Sequence, residues 1–470
     1  MDRAACSIVS TALAVFVLSC GNGAPGQDLP GVTEEGVQKF AVSLRGEDIG
    51  YMELTVDKVS EGSLLVTQRT TWDLLLMGNR KQIDMSLMAR ADTGLNMRRL
   101  DFVLSDGSAT IRTSTVRSGG DLSTVIESSG RESSMSSSFE GDYLPAILDL
   151  ACARMSWREG QVRTFPAFDP ATGTVSGAEV NCVGFEPQEF LGDTVRTTVL
   201  QISHLGTITK MWAHGGQIVR EEESGYGLRM ERVPPGQTGD ARSTSDLYEM
   251  FAVRSDPIEN PRELGTRTYR LEGEIDWDRF VLDYPPVQST EGIEVTITTG
   301  LPRETVPLPV ENTEMSPYLR PEPLIQSDDR AVMRLADSLT AGVEDSWEAA
   351  LRINGYVDRA VINSPTVSLP SAVEVLENMR GDCNEHTILF VALARAAGIP
   401  AEVCAGVVYL DRAFGYHAWP MVWVGEWVPM DPTLGQPVAD PTHIILAQGS
   451  LESQYVIASA MGRLSIKVVR

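Results

Sequence analysis

Basic charge is scarce in this 470-residue chain: 39 Lys and Arg stand against 64 Asp and Glu, a formal net charge of −25. So acidic a surface cannot neutralise phosphates, which excludes nucleic acid as a partner and polybasic attachment to anionic lipid. Cysteine numbers only six, too few for a disulfide scaffold. Of the five histidines, His204 and His214 have no carboxylate or cysteine at metal-ligand spacing and read as structural, so no metal site is expected. No glycine-rich phosphate loop is present, and no cofactor is expected. The apolar run at residues 8–18 is about a dozen residues long, too short to cross a bilayer. What remains is an ordinary globular composition, 42% apolar, in a chain long enough for two or three domains.

Arg3 precedes that apolar run, which ends in Val17-Leu18-Ser19-Cys20. This resembles a bacterial lipoprotein signal: residues 1–19 would be removed, Cys20 acylated, and residues 20–35 would serve as a flexible tether. A plain secretory peptide is the alternative, and both imply export. The expectation is a membrane-anchored lipoprotein of the cell envelope, and Gly21 after the cysteine resembles the outer-membrane default of a two-membrane cell. Of the remaining cysteines, Cys152 and Cys182 can pair in an oxidising compartment, and Cys404 on a Val-rich run reads as core.

Residues 36–235 read as strand after strand, including 40–44, 51–58, 63–72, 82–89, 97–104 and 110–116, separated by polar or glycine-bearing turns. One helix at 144–155 interrupts them, a second strand set runs to about Gly225-Tyr226-Gly227, and serine-rich 133–138 reads as an exposed turn or edge. The expectation is an antiparallel β-rich domain built as a meander, a sandwich or an open barrel. Pro234-Pro235-Gly236 to Ser245 reads as a linker, and residues 246–325 as a small β module.

Chemistry concentrates near the C-terminus. Gly381 can end one helix in a left-handed conformation, and Asp382 can cap the next, placing Cys383 in its first turn, where the helix dipole favours thiolate over thiol. A free cysteine titrates near about pH 8.5, and a helix N-terminus or a histidinium lowers that to roughly 3.5 to 7.5. After Gly398-Ile399-Pro400 the pattern changes to strands that carry His417 and Asp431. A two-residue turn at Gly425-Glu426 would put those two side chains on opposite faces. A three-residue loop at 424–426, or one bulge, sets Trp423 opposite Trp427 and Trp419 opposite Asp431, making His417 and Asp431 same-face diagonal neighbours. Trp419, Met421, Trp423, Trp427 and Pro429 would share that face, as sheet packing or as a wall against substrate.

The text Gly381-Asp382-Cys383-Asn384-Glu385-His386, Ala394-Arg395-Ala396-Ala397-Gly398-Ile399-Pro400-Ala401, Tyr416-His417-Ala418-Trp419 and Trp427-Val428-Pro429-Met430-Asp431-Pro432-Thr433 resembles the transglutaminase-like superfamily, papain-related thiol enzymes. Cys383 and His417 stand 34 residues apart, and His417 and Asp431 14. Apolar stripes at Val332, Leu335, Ala336 and Leu339 and from Trp347, with Ser371-x-x-Glu374 as a capping box, extend the domain over residues 326–470. The whole is thus expected to be α+β: a β-rich domain, a small β module and a papain-like α+β domain.

The resemblance implies a catalytic triad of Cys383, His417 and Asp431 acting on a protein or peptide substrate, with a thioester intermediate resolved by water or by an amine. The Cys383 amide is a candidate oxyanion donor, and an aromatic that some relatives supply corresponds to Tyr356. His386 is expected to pack behind the nucleophile helix. His443 stands out only by resemblance to the family's text. Two other classes stay open: a binding or assembly module using the thiol fold as a scaffold, and a β-domain carrier of hydrophobic cargo.

Overall fold

The computed structural model describes residues 35–469 apart from 77, 108–109, 129–130, 226, 235, 237–240, 323, 365–370, 411 and 450–454. The expected signal, Cys20 and all but the last residue of the tether lie outside the described residues. Two compact units divide between Leu247 and Tyr248.

The first unit is one sheet of fourteen strands. Strands β1 (Glu35–Leu44), β2 (Glu47–Ser60), β3 (Ser63–Leu76), β4 (Asn79–Ala91), β5 (Met97–Ser105), β6 (Thr110–Ser118), β7 (Asp121–Ser128) and β8 (Arg131–Ser138) form one meander. After helix α1 (Leu148–Arg154), β9 (Val162–Asp169), β10 (Thr174–Phe190), β11 (Asp193–His204), β12 (Thr207–His214), β13 (Gln217–Glu223) and β14 (Leu228–Val233) form another. Antiparallel pairing of β1 with β14 joins them, from Lys39 opposite Val233 to Leu44 opposite Leu228. Strands β8 and β9 end the order unpaired with each other, so among the expected alternatives the connectivity is that of two meanders fused edge to edge.

Side-chain alternation makes these strands. In β3, Leu64, Val66, Gln68, Thr70, Trp72, Leu74 and Leu76 are buried in turn, the period-two pattern of a sheet with one covered face. Two-residue hairpins such as Leu205-Gly206 hold both residues at positive φ, 43° and 84°, the backbone twist that matches paired strands. The serine-rich stretch is edge strand β8. Helix α1 is shorter than expected, and β13 and β14 lie at and beyond the expected end of the strand series. Cys152 and Cys182 are both free and buried, so the disulfide contemplated for them is not formed: Cys152 sits on α1 and Cys182 on β10, each enclosed by its own packing.

The second unit has two main sheets. Strands β15 (Arg254–Ser255), β16 (Gly265–Glu272), β17 (Gln288–Glu291) and β18 (Glu294–Thr299) make a five-stranded sheet with the C-terminal strand of residues 465–468, in which β16 pairs antiparallel with that strand. The strands of the expected small module therefore share a sheet with the end of the chain.

Helices α2 (Arg330–Leu339), α3 (Ser346–Ala360), α4 (Ala372–Asn378) and α5 (Cys383–Ala396) follow, with β19 (Ile362–Asn363) and β20 (Arg380–Gly381) pairing in parallel. Then come β21 (Ala401–Leu410), β22 (Ala413–Trp423), β23 (Trp427–Pro429) and β24 (Ile444–Gln448), in the order β23-β22-β21-β24, and finally β25 (Ser465–Val468).

One face of this four-stranded sheet carries Ala401, Val403, Val422 and Val428 into a core with Val332, Ile353, Val357, Leu389, Phe390 and Leu393. The other carries Cys404, Trp419, Met421 and Ile445 into a second cluster with Val287 and Ala439. Each such fully buried Leu or Phe contributes about 1.5–3 kcal/mol, so the helix bearing Cys383 is held by its core-facing side.

Candidate active site

Cys383 is the first residue of α5, and the turn before it is built by backbone chemistry. Asp382 caps the helix: its Oδ1 accepts from Asn384 N at 2.9 Å, and Glu385 Oε2 accepts from Asp382 N at 2.8 Å, closing a reciprocal capping box. The left-handed residue ending α4 is Met379, φ 45°, not Gly381 as the sequence suggested. Arg380 and Gly381 must be extended to pair with β19, so the reversal falls one residue before them. Gly381 is required for a different reason: a Cβ there would lie 2.2 Å from Glu385 Cβ.

The pairing of β22 with β23 is Trp423 to Trp427, Val422 to Val428 and Met421 to Pro429, with Val424 N bonded to Glu426 O across a three-residue loop. In that register His417 Nε2 meets Asp431 Oδ2 at 2.8 Å. Ala418 N, next along β22, donates to Cys383 Sγ at 3.1 Å, so the sulfur lies against the strand that carries His417. Among the described residues, buried His417 Nδ1 has no hydrogen-bond partner. With Nε2–H donated to the carboxylate, neutral His417 keeps its lone pair on Nδ1, the nitrogen able to take a thiol proton. Cys383, His417 and Asp431 are all buried. The chemistry of Cys383 is that of its reduced thiol.

Asp431 is fully engaged. Its Oδ1 accepts from Thr433 N at 2.8 Å and Leu434 N at 3.0 Å, and its backbone exchanges two hydrogen bonds with Gln436. A second imidazole reaches the oxygen that His417 uses: His443 Nε2 lies 3.0 Å from Asp431 Oδ2. Burial pushes the Asp431 carboxyl up, but His417 and His443 overrule it and hold the group well below the usual carboxylate range. Burial by itself would likewise push His443 down, yet Asp440 and Asp431 raise it to about 9.

The aromatic wall is chiefly packing. Trp419 is fully buried, stacks on His417 with centroids 5.9 Å apart and meets His443 edge-on at 5.0 Å. Met421 and Trp427 join the cluster around Cys404. His386 sits behind the nucleophile turn, its Nδ1 2.6 Å from Asp382 O, and burial pushes it down. Tyr356 packs, half-buried, against the helical core.

Among the described residues, His417, Asp431 and His443 form the group that could hold a metal ion, with ligand atoms within 4.8 Å of one another. Two ligands of one tetrahedral zinc stand roughly 3.3 Å apart; the 2.8 and 3.0 Å separations here are those of hydrogen bonds.

His443 is the site residue that chemical reasoning from sequence missed. Its signal was a lone histidine immediately before the apolar run of β24. Only the pairing of β24 with β21, Gly406 opposite Ile445, carries it to Asp431.

Residues 333–432 match the family model described as the transglutaminase-like superfamily. Among solved structures, the chain is similar to a candidate cysteine protease from Cytophaga hutchinsonii, at 22% identity over 46% of this chain and 82% of that one, TM-score 0.31. It is also similar to a candidate protease from Parabacteroides distasonis, at 11% identity over 68% of this chain and 63% of that one, TM-score 0.19. No curated protein matches the chain. The segment that holds the sulfur, the imidazole and the carboxylate is therefore a transglutaminase-like domain, the fold of thiol enzymes.

Proposed function

We propose that this protein is a thiol enzyme acting on amide bonds through Cys383, His417 and Asp431. The observation that carries the reading is the convergence at β22: the Ala418 amide on Cys383 Sγ at 3.1 Å, and His417 bound to Asp431 at 2.8 Å with Nδ1 left unpaired among the described residues. In the reduced protein His417 Nδ1 takes the thiol proton, and the sulfur attacks the carbonyl carbon of an amide, forming an S–C bond. The C–N bond then breaks, the leaving nitrogen takes the proton back from His417, and a thioester remains. Water, deprotonated by His417, attacks the thioester carbonyl, the S–C bond breaks, the sulfur leaves as thiolate and an acid is released; an amine attacking in the same way gives a new amide. Asp431 keeps His417 in the required tautomer.

The acceptor's identity sets whether the outcome is hydrolysis or acyl transfer. Export and an N-terminal lipid anchor at Cys20 complete the proposal, resting on the Val17-Leu18-Ser19-Cys20 pattern. Burial of Cys383 supports the alternative of a binding module that keeps the fold as a scaffold, and one experiment separates the two. The full chain, reduced, is alkylated as a function of pH beside Cys383→Ala and His417→Ala, and is screened on a peptide library with and without added amine. An enzyme labels at Cys383 well below about pH 8, loses that reactivity without His417, and turns over at least one amide. Equal, slow labelling of Cys383 and Cys404 would overturn the proposal.

A further inference from the structure

The partners of His443 fix its protonation. Nε2 faces Asp431 Oδ2 at 3.0 Å, and Nδ1 faces the backbone carbonyl of Asp440 at 3.0 Å. An ionised carboxylate and a carbonyl only accept, so both ring nitrogens must donate. Turning the ring over would set carbons against both acceptors and lose both bonds.

Behind the ring, Asp440 Oδ1 lies 3.5 Å from Nδ1 and accepts from Thr442 N at 2.8 Å, while Oδ2 binds Arg262 at 2.6 Å and Gln436 Nε2 at 2.8 Å. Charges therefore alternate from Asp431 through His443 and Asp440 to Arg262. Among the described residues, His417 also faces the ring, at a centroid distance of 5.8 Å, and Tyr269, whose hydroxyl donates to Pro441 O at 3.0 Å, lies within electrostatic reach of Asp440. His386 is within electrostatic reach of Asp431, and burial pushes it down.

We propose that His443 is a standing imidazolium and a positioning residue: it fixes Asp431 as an ion, shares its Oδ2 with His417, and is itself anchored by Asp440 and Arg262. The catalytic consequence rests on the function proposed above; the charge state does not. A buried positive charge 5.8 Å, ring to ring, from His417, whose neighbour Ala418 binds the Cys383 sulfur, favours an anion at that sulfur. Removing it should move the alkylation profile of Cys383 to higher pH.

The test uses the full chain, reduced and labelled with nitrogen-15 histidine. At pH 7.5 one of the five histidines should show both ring nitrogens protonated, should titrate only near about pH 9, and should vanish in His443→Gln. A neutral tautomer at His443 overturns the proposal, and so does stoichiometric zinc accompanying the purified protein.

In His443→Gln the alkylation midpoint of Cys383 should rise by about one pH unit; an unmoved midpoint in a folded variant reduces His443 to packing. Should that variant fail to fold, Asp440→Asn serves. Loss of the neighbouring anion should lower the pH at which the His443 signal titrates by about one unit, and an unchanged titration counts against the anchor. A protein that shows the nitrogen signature but turns over no amide leaves this inference standing and sinks only the functional one.

Discussion

At the scale of single residues, the site consists of a sulfur, two imidazoles and two carboxylates held by main-chain donors. The carboxylates act unequally. Asp431 touches His417, and its four accepted hydrogen bonds leave it no freedom to rotate. Asp431→Asn keeps the shape and offers an NH₂ group where His417 needs an acceptor. Amide turnover should then fall by up to about 10⁴-fold with KM little changed, measured as kcat on whichever peptide the library identifies; a loss under tenfold would remove Asp431 from the mechanism. Cys383→Ala should leave no thioester in mass spectra of the protein quenched during turnover. Because Cys383 is buried in the folded chain, alkylation of the wild type should also slow at saturating peptide, through competition for one opening.

At the scale of elements, the start of α5 decides whether the sulfur is placed at all. The capping box of Asp382 and Glu385 satisfies first-turn amides that would otherwise be orphaned. Asp382→Ala should cost about 1 kcal/mol of stability. Gly381→Ala should cost more, about 1–3 kcal/mol, because its Cβ meets the Glu385 side chain at 2.2 Å and forces the box open. Denaturant melts read the first effect of each variant, and the pH profile of Cys383 alkylation the second. If Gly381→Ala melts like wild type and labels like wild type, the close approach of β20 to α5 has been misjudged. A comparable argument covers Gly406 on β21, where a Cβ would meet Ile444 O at 2.0 Å, in the pairing that delivers His443.

At the scale of the whole molecule, the buried ionic chain makes stability depend on pH. His443 is raised to about 9 in the fold from an unfolded value of about 6.5. Its contribution is fully present below about pH 6.5 and lost as pH rises through 9, roughly 3 kcal/mol in all at 1.4 kcal/mol per pH unit. Asp431 and Asp440 are held low in the fold, so their contributions are present above about pH 4 and lost as pH falls below it. The urea midpoint of the wild type should therefore decline between pH 6.5 and 8.5, before unfolded-state thiols ionise. In His443→Gln that decline should flatten. A wild-type midpoint that rises over this window would contradict the charged histidine.

Much of this organisation was legible from residue order, because it depends on neighbours. Alternation marked the strands of the β-rich region, Ser371 and Asp382 marked helix starts, and the three residues of 424–426 set the register that aligns His417 with Asp431. These are local rules of period, capping and turn length, and the sequence determined them unaided. What only the tertiary structure decided are pairings between distant segments: β1 with β14 to fuse two meanders, the C-terminal strand with β16, β24 with β21, and Arg262 with Asp440. Any of several strands of similar alternation can make such a pairing, and the choice falls to whichever buries most apolar surface while satisfying its backbone donors. Local rules and motif text therefore point to Cys383, His417 and Asp431, whereas the place of His443 on Asp431 follows from that global selection, because only strand pairing between distant segments brings the two together.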